Sequence, residues 1–190
     1  MPAHLPNLIT ILRMLLVPFT VWLMISHAFA AAFVVFVVAG ISDGVDGYIA
    51  RRYNLKTDLG AYLDPLADKA LLVSIFVVLG MLQLIPVWLV LLVVTRDVLI
   101  VGAVILSWGM GKPMAMHPLL ISKVNTTFQI IFAGMVLAML GTELRIEPLM
   151  LGGIGAVALL TVASGAMYMR DWMRHMAAKD MPKDMPQDMP

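Results

Sequence analysis

The chain has 190 residues, 61% hydrophobic and 13% charged, with a formal net charge of +1 and no cysteine. Soluble domains average roughly 45–50% apolar and about 25% charged residues, so this composition is that of an integral membrane protein. A near-neutral balance offers no basic surface for nucleic acid, and the lack of cysteine removes disulfides and thiolate metal sites.

A helix crossing a bilayer needs about 20 mostly apolar residues. Segments 8–26, 28–50, 61–82, 86–108, 120–141 and 148–168 meet that need, separated by His27, "RRYNLKTD", "QLIP", "GMGKPMAMHP" and "GTELRIEP". The expected fold is therefore all-α: a bundle of six transmembrane helices in one domain, residues 1–175. The first segment reads as a retained helix, since no small-residue cleavage site stands out after it. Within it, "PNLITILR" spaces Asn7, Thr10 and Arg13 three apart, a polar stripe on an apolar helix. The plain alternative is an N-terminal cap with an interfacial arginine.

Segments two and three carry the densest polar feature, "SDGVDGYIARRYNLKTDLGAYLDPLADKA" from Ser42 to Ala70. Asp43 and Asp46 are three apart, and Asp64 and Asp68 four apart, so each pair shares one helix face. A descending and a returning helix bring both pairs to the same depth. Four converging carboxylates repel unless cations neutralise them, and hard divalent ions suit oxygen ligands. Magnesium or manganese is favoured over zinc because no histidine or thiolate joins the set. Two such ions fit the oxygens of a diphosphate. Gly44, Gly47 and Gly60 remove side chains where a ligand would approach, Ala50 keeps the same face small, and Arg51 and Arg52 sit at the interface. The alternative, a solvated rim of interfacial acids, is harder to sustain for four aspartates at paired spacing. Asp58, in the hydrophilic turn, reads as a helix cap or solvent contact.

The fourth segment holds Arg96 and Asp97 in "LVVTRDVLIVG", and the fifth opens with Lys123 in "ISKVNTTFQ". Charge at that depth is costly; Arg96 either pairs with Asp97 or another acid as a packing device, or serves a ligand. His117, beside Pro118, reads as a loop residue. The tail "KDMPKDMPQDMP" has proline at every fourth position, so residues 176–190 are expected to be disordered on the cytoplasmic side.

Lysine and arginine set the orientation. Arg13, Arg51, Arg52, Lys56, Lys112, Arg170, Arg174, Lys179 and Lys183 fall on one side, and Arg145 stands between Glu143 and Glu147 on the other. Both termini are thus expected in the cytoplasm, below a polar cavity that faces it.

The run Asp43-Gly44-Val45-Asp46-Gly47-Tyr48-Ile49-Ala50-Arg51, followed by Gly60, Asp64 and Asp68, resembles the signature of the CDP-alcohol phosphotransferases. That signature, D-x-x-D-G-x-x-A-R, eight residues, then G-x-x-x-D-x-x-x-D, is filled at every fixed position. The resemblance implies attack by an acceptor hydroxyl on the lipid-bearing phosphorus of a CDP-linked lipid, with release of CMP. It implies that Asp43, Asp46 and Asp64 hold two Mg2+ or Mn2+ ions, with Asp68 beside them as general base. Gly47, Ala50, Arg51 and Gly60 would border the cytidine diphosphate, the stripe Asn7, Thr10 and Arg13 would lie beside it, and Arg96 and Lys123 would meet a phosphate on the acceptor.

"PNLIT", "LDPLADK" and an arginine followed by an acid are similar to the glycerophospholipid branch, which uses CDP-diacylglycerol. "PLLISKVNTTFQ" is closer to members that take phosphatidylglycerol and form cardiolipin than to those that take glycerol 3-phosphate. The family also implies a bacterial or organellar inner membrane and a homodimer, toward which the approximate small-residue spacing of Gly152 and Gly155 points weakly. A divalent-ion transporter would spread its charges along a path through several helices; here they gather on one face.

Overall fold

The computed structural model describes residues 5–53, 58–109, 120–144 and 146–179, with side chains for 14–42, 44, 69–103, 106, 120–144 and 146–174. Among the described residues there are six helices and no strands: α1 (Leu5–Ile25), α2 (Phe29–Tyr53), α3 (Asp58–Met81), α4 (Val87–Gly109), α5 (Leu120–Gly141) and α6 (Glu147–Lys179). Each apolar segment read from the sequence is helical. The largest difference is at α6, which runs 33 residues and continues past residue 168 into the segment expected as tail. "MRDWMRHMAAK" contains good helix formers and neither glycine nor proline, so nothing in it ends the helix.

Two helical turns close with residues that are not glycine. His27 (φ 58°) follows α1, with its N–H donating to the Met24 carbonyl at 3.0 Å and the Ala28 N–H to the Leu23 carbonyl at 2.9 Å. Gln83 (φ 58°) repeats the pattern after α3, through Gly80 and Leu79. These paired bonds satisfy the last carbonyls of each helix and reverse the chain within a few residues. Glu143 adopts the same left-handed conformation after α5.

Helix α1 packs on α2 and α3, α5 on α2, α3 and α6, and α4 on α3 and α6. The shared core holds Met24, Phe36, Ile75, Phe76, Leu79, Leu89, Phe132 and Leu137. At its centre the Phe76 and Phe132 rings lie 6.1 Å apart at 38°.

The exterior is apolar too: Leu15, Trp22, Val34, Leu91, Val98, Ile131, Leu151 and Leu159 are exposed, whereas Arg96, Asn125, Gln129, Thr161 and Ser164 are buried. Polar groups inside and apolar groups outside suit a hydrocarbon solvent, where each buried polar atom needs an internal partner. Among the described residues two helical stretches are long and apolar enough to cross a membrane, Leu120–Gly141 and Glu147–Arg174. The apolar stretches described in α1, α2 and α3 are shorter: Met14–Ile25, Phe29–Ser42 and Lys69–Met81.

Close helix approach depends on small residues. A Cβ at Gly141 would stand 2.7 Å from the Ala30 Cα and 2.8 Å from its nitrogen, backbone atoms that cannot turn aside. At Gly152 an added Cβ meets nothing within 4 Å. Gly141→Val is therefore expected to push α5 from the start of α2 and destabilise the bundle by roughly 1–3 kcal/mol. Thermal unfolding of the detergent-solubilised protein checks this, with Gly152→Ala expected to keep or raise the midpoint.

Candidate active site

The two aspartate pairs fall on α2 and α3, both helical at those positions, so the three- and four-residue spacings do place each pair on one helix face. The side chains of Asp43, Asp46, Asp64 and Asp68 lie outside the described residues, as do those of Asn7, Thr10, Arg13, Gly47, Ala50, Arg51, Arg52, Asp58 and Gly60; His117 lies outside them entirely. No group of three or more His, Cys, Asp or Glu able to hold a metal occurs among the described residues.

The backbone course of α1, α2 and α3 is described, including where it carries the aspartates. The chain reverses between α1 and α2 at His27, and four residues separate α2 from α3. The end of α2 and the start of α3 are thus joined by a short link, and α1 packs on both helices. Gly44, beside Asp43, is exposed, and a Cβ there would meet nothing within 4 Å. Four carboxylates are an all-oxygen donor set, which by its chemistry fits a hard divalent cation.

A second polar cluster is described in full. Arg96 on α4 is 5% exposed; its Nη1 donates to Asp97 Oδ1 at 2.7 Å, and its Nη2 to Ser122 Oγ on α5 at 2.6 Å and Ser164 Oγ on α6 at 2.5 Å. Asp97 also lies 3.1 Å from Lys69 Nζ on α3. One junction thus joins four helices. Among the described residues it sets two cations, Arg96 and Lys69, against one carboxylate, and Arg96 Nε is buried with no partner. Lys123, next to Ser122, is exposed. The arginine therefore does pair with Asp97, as the packing alternative holds.

The junction stands between two apolar grooves on either side of α4. One, of about 430 Å³, is lined by Trp88, Leu91, Thr95, Arg96 and Gly165. The other, of about 420 Å³, is lined by Lys69, Val73, Val94, Asp97 and Val98.

One helical turn further along α5, Thr161 Oγ1 donates to Asn125 Oδ1 at 3.0 Å, and Gln129 Nε2 donates to Thr161 Oγ1 at 3.3 Å. Asn125 Nδ2 is buried without a partner among the described residues. Sequence reasoning missed Lys69, Ser122, Ser164 and this triad. The signal available was spacing: Asn125 and Gln129 are four apart, and Thr161 and Ser164 three apart, each pair on one face of an apolar helix.

Residues 3–173 match the family described as CDP-alcohol phosphatidyltransferase. The chain is 31% identical over 186 residues to a Bacillus subtilis protein named CDP-diacylglycerol--glycerol-3-phosphate 3-phosphatidyltransferase, covering 89% of this chain and 95% of that one. It is 36% identical over 153 residues to the rat cardiolipin synthase (CMP-forming), covering 72% of this chain and 51% of that one. The chain thus spans about half the length of the rat protein, and the human cardiolipin synthase (CMP-forming) shows the same identity and coverage. The chain belongs to the CDP-alcohol phosphatidyltransferase family, and the aspartate motif on α2 and α3 is the part of it by which the sequence resembled that family.

The burial contrast between the two predicted phosphate cations is testable by stability. Arg96→Met should cost about 3 kcal/mol, the lower end for breaking a buried pair, because Lys69 still compensates Asp97. Lys123→Met should stay within about 0.5 kcal/mol of the parent, as exposed substitutions do. Denaturant or thermal unfolding in detergent reads both.

Proposed function

We propose that this chain is a CDP-diacylglycerol-dependent phosphatidyltransferase that passes a phosphatidyl group to a glycerol-phosphate acceptor, foremost phosphatidylglycerol, giving cardiolipin and CMP. The observation that carries the reading is the complete D-x-x-D-G-x-x-A-R…G-x-x-x-D-x-x-x-D motif, lying on two helices joined by a short link. The names of the relatives agree with both acceptors. Glycerol 3-phosphate is the second reading, favoured by a match that spans the Bacillus protein almost end to end.

In this reading Asp43, Asp46, Asp64 and Asp68 hold two Mg2+ or Mn2+ ions. Bound there, the ions neutralise the diphosphate and stabilise the departing phosphate. Asp68 accepts the proton of the acceptor hydroxyl as its oxygen bonds to the lipid-bearing phosphorus, and the bond from that phosphorus to CMP breaks. Gly47, Ala50 and Gly60 leave room for the cytidine diphosphate, Arg51 borders it, and Asn7, Thr10 and Arg13 on α1 lie alongside. Arg96 and Lys123 draw the acceptor phosphate toward the junction, whose flanking apolar grooves suit lipid chains.

The same reading has all six helices crossing the bilayer and both termini in the cytoplasm, supported by the bundle's apolar exterior and the one-sided distribution of lysine and arginine. It includes pairing of two chains, for which the bare backbone at Gly152 and Gly155 leaves room.

Purified protein given CDP-diacylglycerol, Mg2+ or Mn2+, and each acceptor in parallel is expected to form cardiolipin from phosphatidylglycerol, read by mass spectrometry. Asp68→Asn is expected to lower the rate at least about 100-fold, as loss of a general base does. Product only from glycerol 3-phosphate would establish the second reading; no CMP release with either acceptor would overturn both.

A further inference from the structure

Lys69 directly follows Asp68 in α3, and its ammonium lies 3.1 Å from Asp97 on α4. Asp97 in turn holds Arg96, which is fastened to α5 through Ser122 and to α6 through Ser164. A single carboxylate therefore ties α3 to an arginine anchored on two other helices. The contact is shielded on one side only: the Asp97 side chain is 13% exposed and that of Lys69 39%, and Val73, Val94 and Val98 line the groove around them. A buried ionic junction is more costly to build than an apolar one of the same shape. Its place, one residue from Asp68, gives that cost a purpose.

Successive helical residues lie about 100° apart. A tie from Lys69 to α4 consequently fixes both the rotation of α3 and its depth in the bundle, and with them positions 64 and 68. Metal sites tolerate ligand shifts of only about 0.2 Å, so a helix carrying metal ligands gains from an anchor beside them. We infer that Asp97 is a positioning residue of this transferase: through Lys69 it sets α3 so that Asp64 and Asp68 are placed for the divalent ions. The inference rests on the proposed reading of the four aspartates as the metal site.

Mn2+ binding by the purified chain in detergent, followed by the electron paramagnetic resonance signal of free Mn2+, tests it without recourse to activity. The parent should bind Mn2+, and Asp64→Asn should abolish the binding. Asp97→Asn and Lys69→Met should each weaken it about tenfold, the lower end for partners that orient metal ligands. The double variant should lose no more than either single one, because both remove the same tie. Asp97→Glu should recover part of the loss. Thr161→Val, which breaks the separate α5–α6 bonds, should leave Mn2+ binding unchanged. Parental binding in Lys69→Met overturns the inference but spares the metal reading, and Lys69→Met alone decides the matter if Asp97→Asn does not fold. Additive losses in the double variant, or an equal loss in Thr161→Val, also overturn it by showing general loosening. Mn2+ binding that ignores Asp64→Asn, or none in the parent, overturns the metal reading and the inference together.

Discussion

A charge among apolar helices has to find its partner inside the bundle, and the arrangement of this protein follows from that need. Arg96 cannot reach water from a position 5% exposed, so it gathers Asp97, Ser122 and Ser164 around its guanidinium. Lys69 completes the set from α3. The guanidinium meets α5 and α6 through Nη2 while Nη1 pairs with its own neighbour on α4. The apolar core around Phe76 and Phe132 packs the helices, but these directional contacts distinguish one rotation of each helix from another.

The family's chemistry is the opposite case. On the proposed reading, carboxylates there hold ions that face the substrate. In the proposed reading the protein thus keeps two polar regions with different logic: a junction that satisfies most of its own groups, and a cluster of acids completed only by metal and diphosphate. Lys69 and Asp68 are adjacent residues that belong one to each. Among the described residues the junction also leaves one buried donor, Arg96 Nε, without a partner.

Much of the fold was legible before the structure, because length and apolarity are local properties. All six helices lie where apolar runs interrupted by turn residues put them. The end of α6 was not legible from hydropathy, since the helix continues on propensity after the apolar run stops. The aspartate motif was legible as a spacing, and the positions that carry it are helical. What local pattern could not give was the pairing between helices: nothing in "LADKA" says that Lys69 meets Asp97, or in "TVASG" that Ser164 meets Arg96. Those contacts depend on how α3, α4 and α6 pack, which periodicity alone does not fix.

The proposed function requires the aspartates of α2 and α3 to hold metal ions against a lipid diphosphate. The most direct test is the number of Mn2+ ions retained per chain in the presence of CDP-diacylglycerol, measured by equilibrium dialysis. About two are expected, and none beyond background once Asp43, Asp46, Asp64 and Asp68 are all replaced by asparagine. Retention by that asparagine variant, or no uptake by the parent with the lipid present, would contradict it.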